Sequence, residues 1–389
     1  MGWATRRIFL AQAGAGLALS GCLSRLARDH LAVFDHIWST VDRNYFDPGT
    51  NGFDWRAARG TWRPLAAKAE SLDALYLAVL WPMLDQLKSS HVRLTPAKTV
   101  MIQAGQSSRL PMNRSGDRLP FLRAADEAGL GGRLTFDGQF YVPEITETSG
   151  PLARAGILAG QTLRVFGLRM SETGGSLRVR TYPDNRDRVV QWTRRPPQLS
   201  RETYRLRPGI QYLRFDEFQE PDVSWALAAL GETTSDLVLD MRTNRGGLVT
   251  ECGRFLRRLL PANASLGTFI DRNGTSAVAT PPVAKASSVK QVVVLTGPRS
   301  VSGAELTACV LAHHQRAVLV GHRTAGALLL SRSFPTPDGG ALLLPTADYR
   351  TPGGRRIEGV GVRPEGPSLL VNGQPDRVIS AAVDLLTSA

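Results

Sequence analysis

The sequence has 389 residues, a formal net charge of +13, 42% hydrophobic and 21% charged residues, 38 Gly, 24 Pro and three Cys. This excludes a disordered chain, a collagen-like repeat and a disulfide-stapled miniprotein, and the length exceeds what one core sustains, so two or three domains are expected. Lys68, Lys88, Lys98, Lys285 and Lys290 are the only lysines among 47 Lys and Arg residues. An arginine excess of this kind suits anionic lipid or carboxylate ligands. With no zinc-finger or aromatic RNA-binding pattern, no nucleic-acid partner is expected.

In chain order, Arg6 and Arg7 form a charged start to an apolar, small-residue stretch from Ile8 to Ser20. That stretch suits a signal peptide over residues 1–21 and is too short to span a bilayer. The run from Thr5 to Leu10 resembles a twin-arginine export signal. Residues 19–22, Leu-Ser-Gly-Cys, resemble a bacterial lipobox, which implies Cys22 as a lipidated first residue. Residues 27–100 read helical: Leu31, Val33, Phe34, Ile37, Trp38 and Val41 keep one apolar face, and Trp55 to Lys68 and Leu72 to Leu87 continue it after a turn at 47–49. Residues 112–200 read as a β-rich module with Gly clusters at 129–132 and 174–175. From 208 onward, short apolar strands at 210–215, 236–241, 291–296 and 317–320 alternate with helices near 248–260 and 302–315. That is an α/β signature, with a core domain expected over 208–370. Cys252 and Cys309 are expected as buried free thiols.

Chemistry concentrates at strand ends in the last domain. The strand at 292–295 runs into a turn, and a helix begins near Ser302 with Glu305 three residues on. A hydroxyl there sits at the positive end of a helix dipole, and the same pattern is a capping box. Asp240 to Gly247 ends a strand in a Gly-Gly turn whose N–H groups are able to face a ligand. Ser89, Ser90 and His91 place two hydroxyls before a histidine. Arg356 to Pro364 carries one carboxylate, Glu358, in a Gly-rich loop. No histidine falls in a metal-ligand spacing, so no metal and no cofactor are expected.

In this order, Ser-Ser-His-Val at 89–92, D-x-R-x-N-x-G-G at 240–247, S-V-S-G-A-E at 300–305, G-H-R-T-A-G at 321–326 and I-E-G-V-G-V-x-P at 357–364 resemble the tail-specific, or C-terminal-processing, serine peptidases. The closer likeness is to their tricorn-core branch. The resemblance implies an N-terminal helical region, a PDZ-like module and an α/β core of the crotonase/ClpP kind. Tyr141 to Ile145, Gly150 to Ile157 and Gly160 to Leu163 carry the PDZ likeness, with Gln161 where Asp is usual. Lys290 is the last lysine, so the serine–lysine arrangement of the other branch is excluded; its lysine position is Ala327, and arginine does not deprotonate. The resemblance therefore implies Ser302 as nucleophile, His91 as base, Ser90 and Glu358 as its orienting partners, and the amides of Gly246 and Gly303 as an oxyanion hole, with Gly247 the neighbour to weigh against Gly246. Gly129, Leu130 and Gly131 are the expected carboxylate-binding loop. Polypeptide substrates follow, and a membrane contact through Cys22; the oligomeric state stays open. The alternative is a peptide- or hydrophobic-ligand-binding protein on the same scaffold that does not cut.

Overall fold

The computed structural model describes residues 29–96, 101–102, 129–136, 140–145, 147–159, 161–170, 174–193, 201–231, 235–280, 288–364 and 375–388. The expected export signal and Cys22 lie outside them. The chain divides into two compact units, Met1–Pro197 with Arg332–Leu344, and Gln198–Ser331 with Pro345–Ala389. The helical and β-rich stretches thus fall in one unit.

The first unit opens with helices α1 (29–44), α2 (Trp55–Ala67) and α3 (72–85). Their apolar faces bury Phe34, Ile37, Val41, Tyr45, Leu75, Tyr76, Leu80 and Met83 completely. The Trp38 and Trp55 indoles exchange hydrogen bonds, each Nε1 donating to the other's carbonyl at 3.0 and 3.1 Å. That satisfies the polar ends of two large rings, Trp55 buried and Trp38 half-buried. Strand β1 (Arg93–Thr95) follows and pairs antiparallel with residues 341–343. The β-rich part is a six-stranded sheet, with β3 (Gly132–Phe136), β4 (Tyr141–Ile145), β5 (Thr162–Met170), β6 (Gly174–Tyr182) and β7 (Arg186–Thr193) in that order, and β2 (Met101–Ile102) against β5. A short helix, α4 (Pro151–Arg154), joins β4 to β5.

The second unit is built on a five-stranded sheet. Strands β9 (Ile210–Phe215), β10 (Asp236–Asp240), β13 (Val292–Thr296) and β14 (Val318–Gly321) are parallel, and β8 (Arg201–Arg207) is the antiparallel edge beside β9. Successive side chains of a strand point to opposite faces, and here both faces are buried. Leu213, Phe215, Leu237, Leu239, Val292 and Val294 face one core with helices α5 (Glu220–Leu230), α6 (Val249–Leu256) and α7 (Gly303–His313). Ile210, Tyr212, Val238, Val293 and Leu295 face the other, covered by Val378, Ala382, Val383 and Leu386 of α8 (Pro375–Thr387). This explains why the strands read as unbroken apolar runs. Each such Val or Leu contributes about 1.5–3 kcal/mol on burial. The unit thus takes in β8 and α8 on either side of the 208–370 expected for the core. Strands β11 (Ser265–Asp271), β12 (Gly274–Ala279) and the end of β15 (Ala341–Arg350) form a second antiparallel layer. Cys252 and Cys309 are buried and free, as expected. Among the described residues no helix is long and apolar enough to cross a membrane.

Candidate active site

Every sequence motif of the second unit except the last leaves the carboxyl end of a parallel strand. Residues 216–218 follow β9, 241–248 follow β10, 297–302 follow β13 and 322–328 follow β14. Open α/β sheets place their ligand sites at this edge.

The turn after β13 is tied to its neighbours residue by residue. The Ser300 hydroxyl accepts from Gly297 N–H at 2.9 Å and donates to the Met241 carbonyl at 2.8 Å. Val301 N–H donates to the Asn244 carbonyl at 3.0 Å, and Ala325 N–H to the Ser300 carbonyl at 3.1 Å. Ser302 then stands at φ 56°, ψ −111°, just ahead of α7. A serine avoids this left-handed region, at about 1–3 kcal/mol, unless its surroundings over-determine it. They do: its N–H is shared between the Ala327 carbonyl at 3.0 Å and Glu305 Oε2 at 3.1 Å. A half-buried hydroxyl on a strained strand-to-helix turn is the geometry of a nucleophile elbow.

Glu305 does more than complete a capping box. Its fully buried carboxylate accepts from Thr324 Oγ1 at 2.5 Å, Gly326 N–H at 2.7 Å, Ala327 N–H at 2.8 Å and Ser302 N–H. Burial raises its pKa and the four donors oppose that rise. Thr324 Oγ1 also accepts from Val362 N–H at 2.7 Å, and Gly359 N–H donates to the Gly326 carbonyl at 2.7 Å. These bonds zip the 357–364 loop onto 324–328. Glu358, 8% exposed, accepts from Leu328 N–H at 3.0 Å, one residue from the segment that holds Ser302.

The two glycine positions meet at Ser302. A Cβ on Gly246 would lie 2.6 Å from Gly303 N and 2.7 Å from Ser302 Cβ; one on Gly303 would strike Cys252 Sγ at 2.7 Å. Only glycine permits this approach, and Gly246 also has φ +80°. Gly303 is the first residue of α7, where an N–H has no intrahelical acceptor. The N–H of Gly246 is taken by Asn244 Oδ1 at 2.9 Å. Gly247 bridges to Phe218 through its two neighbours, Phe218 N–H to Gly246 O and Leu248 N–H to Phe218 O, which turns its own N–H the other way. Of the adjacent pair, Gly247 rather than Gly246 has the uncommitted donor. Asn244 is the residue the motif contained but sequence reasoning gave no role. Fully buried, it also donates to the Phe215 carbonyl at 2.8 Å and so fixes the glycine turn to β9.

The other expected site residues belong to the first unit. Ser90 and His91 follow the end of α3, past Lys88 at φ +49°, and precede β1. Ser90 Oγ lies 2.6 Å from His91 Nδ1, so Nε2 is the ring nitrogen that Ser90 does not engage. Burial, then the positive charge of Arg93, push the half-buried imidazole down to about 4. In the β-rich sheet, Gly129, Leu130 and Gly131 lead into β3. Leu130 is fully buried, Gly131 has φ +71°, and its carbonyl accepts from Glu147 N–H at 3.0 Å. A cavity of about 700 Å³ opens beside Gly129, lined by Pro151, Arg154, Arg169, Gln191 and Trp192 among others.

A strained serine at the carboxyl edge of a parallel sheet, beside a helix N-terminus and paired glycines, defines the class as an α/β serine hydrolase. Residues 209–367 match the model of peptidase family S41 and residues 27–85 match the tricorn protease C1 domain; the chain is a serine-type peptidase whose core resembles that family. The carboxyl-terminal-processing protease of Synechocystis sp. is 27% identical, with 100% of this chain and 95% of that protein covered. The chloroplastic C-terminal processing peptidase of Tetradesmus obliquus is 26% identical, with 86% and 76% covered. Among solved structures, the photosystem II D1 C-terminal processing protease has a similar fold, with a TM-score of 0.55 at 23% identity over 90% of this chain and 96% of that one. The tricorn protease superposes with a TM-score of 0.51 at 16% identity, over 93% of this chain and 37% of that one.

Proposed function

We propose that the chain is an exported cell-envelope endopeptidase that cuts unfolded or C-terminally exposed polypeptides through Ser302. The observation that carries this reading is the strained, over-determined Ser302 beside the Gly303 and Gly247 amides. The hydroxyl attacks a peptide carbonyl and passes its proton to His91 Nε2. The carbonyl oxygen, now negative, is met by preorganised N–H donors, a contribution worth about 2.7–4 kcal/mol for one donor. His91 returns the proton to the leaving amine, and water then repeats the cycle on the acyl-enzyme. Ser90 holds the imidazole tautomer, and Glu358 orients that pair. The relatives named for carboxyl-terminal processing support polypeptide chain ends as substrates. The loop at Gly129, Leu130 and Gly131, in a PDZ-like module, receives such an end in backbone amides. The twin-arginine-like signal and Cys22 support a location on the envelope side of a membrane, held by a lipid.

The test incubates the chain from residue 23 onward with casein, as wild type and as Ser302→Ala, and reads products by mass spectrometry. Cleavage by wild type alone is expected. Cleavage by both sinks the assignment of Ser302. Cleavage by neither, with both folded, favours a binding protein on this scaffold. For the anchor, Cys22→Ala should move the full chain from the membrane fraction to the soluble one.

A further inference from the structure

One charged side chain beside the glycine pair has no use in this mechanism. Arg245 directly precedes Gly246, and its backbone N–H is fixed to the Asp216 carbonyl at 2.8 Å. Its Nη1 is buried and has no hydrogen-bond partner among the described residues. A guanidinium keeps its charge and has donors only, so a desolvated Nη1 wants an acceptor. The carboxylates around it are engaged elsewhere or stand off. Asp216 accepts from Thr243 Oγ1 at 2.7 Å and Arg214 Nε at 3.4 Å, and Asp222 from Arg201 Nε at 2.7 Å. Glu217, on the adjacent strand end, feels the charge of Arg245 but does not bond its Nη1.

We propose that Arg245 is a specificity residue that receives a carboxylate of the substrate chain near the bond to be cut, either an Asp or Glu side chain or the terminal carboxylate. The inference rests on Ser302 as the nucleophile, because that is what makes the turn at 245–247 a substrate-facing one. The reach follows from the backbone. Arg245 is one residue from Gly246, whose Cβ position falls 2.7 Å from Ser302 Cβ. An extended substrate advances ~3.3 Å per residue, so the partner lies within roughly two residues of the scissile bond. A planar, two-pronged carboxylate matches the guanidinium fork in a way a single carbonyl does not.

The test starts from one casein-derived peptide that the enzyme cuts. Internally quenched versions carry Glu, Gln or Lys at each position from three before to three after the bond. A second pair places the bond two residues from the chain end, as free acid or carboxamide. Wild type should prefer the carboxylate at one position, or at the terminus, by about tenfold or more in kcat/KM. Arg245→Gln should bring that ratio close to one, Arg245→Lys should keep part of it, and Arg245→Glu should turn the preference towards Lys. An internal Glu preference and a free-acid preference distinguish the two sources. The same ratio in wild type and Arg245→Gln, or no preference anywhere, overturns the proposal. The nucleophile reading is read separately, from loss of all cleavage in Ser302→Ala. If wild type cuts none of the peptides, the acid and amide pairs are titrated onto Ser302→Ala by fluorescence anisotropy. Equal affinities there overturn the role of Arg245.

Discussion

The turn that carries Ser302 and the turn that carries His91 are held in very different ways. Ser302 sits where four loops from the sheet edge converge, its N–H bonded twice and its neighbours Ser300, Val301 and Glu305 tied to 241, 244 and 324–327. His91 has, among the described residues, one side-chain bond, 2.6 Å between its Nδ1 and Ser90 Oγ, and a three-residue strand after it. The difference fits the roles proposed for each. An oxyanion hole works by not reorganising, so its donors and the nucleophile need to be fixed in advance. A base needs the right tautomer and direction, which one hydrogen bond supplies.

The largest expected effect breaks both halves at once. On the proposed roles, Ser302→Ala and His91→Ala should each lower kcat by roughly 10⁶-fold, because a nucleophile and its base act as a unit. A double variant no worse than either single would demonstrate the coupling in casein-cleavage kinetics. Gly246→Ala comes next. Its methyl would stand 2.6 Å from Gly303 N, so the donors beside Ser302 must shift. A loss of about 10²–10³-fold in kcat is expected, the range for one oxyanion donor, with little change in the far-UV circular dichroism. Wild-type rates in Gly246→Ala would mean that the glycine turn does not face the reaction.

Glu305→Gln tests the rigid half through stability. The amide offers one acceptor oxygen where four donors converge, and it turns its NH₂ towards at least one of them. Ser302 N–H keeps the Ala327 carbonyl, so one backbone donor, Ala327 or Gly326 N–H, is left without an acceptor, at a cost of about 1–3 kcal/mol. Urea unfolding should show that loss, together with a fall in kcat that exceeds any change in KM. A variant as stable as wild type would mean that the buried carboxylate is already protonated, and so already amide-like.

This contrast also marks what was legible in the sequence. The strands at 210–215, 236–240 and 292–296 announce themselves because burial on both faces removes polar residues from short runs. Ser302, the glycine pair and the Ser90–His91 dipeptide stand out because their chemistry is local. The four-donor site of Glu305 was legible only as a capping box, since three of its donors come from residues 324–327, brought in by a crossover of the fold. The bond from Gly246 N–H to Asn244 Oδ1 is local, two residues back, but it depends on the Asn244 side-chain conformation and so had no signal in the glycine spacing. Helix α8 was not anticipated: its apolar positions at 378, 382, 383 and 386 find their meaning only in the second face of the sheet.

The smallest expected effect belongs to the lightly held half. Ser90→Ala removes the one bond to His91 Nδ1, and the ring then samples other orientations. Loss of an orienting partner of a histidine typically costs 10–100-fold, roughly, and no more is expected here in kcat. The pH profile separates orientation from basicity. With its pKa pushed down to about 4 by burial and by Arg93, the imidazole stays neutral, and able to accept a proton, well below its ordinary 6.5. The acid limb of kcat/KM should therefore fall near pH 4 rather than 6.5. In the same window the native state grows less stable as pH drops, because the unfolded chain takes up the proton that the buried ring resists. Arg93→Gln removes the repelling charge, so its acid limb should move up in pH, whereas Ser90→Ala should lower the plateau and leave Arg93 in play. A limb that ignores Arg93 would assign the shift to burial alone. A Ser90→Ala plateau as low as that of His91→Ala would show that a single hydrogen bond is not enough to describe how this half of the site is held.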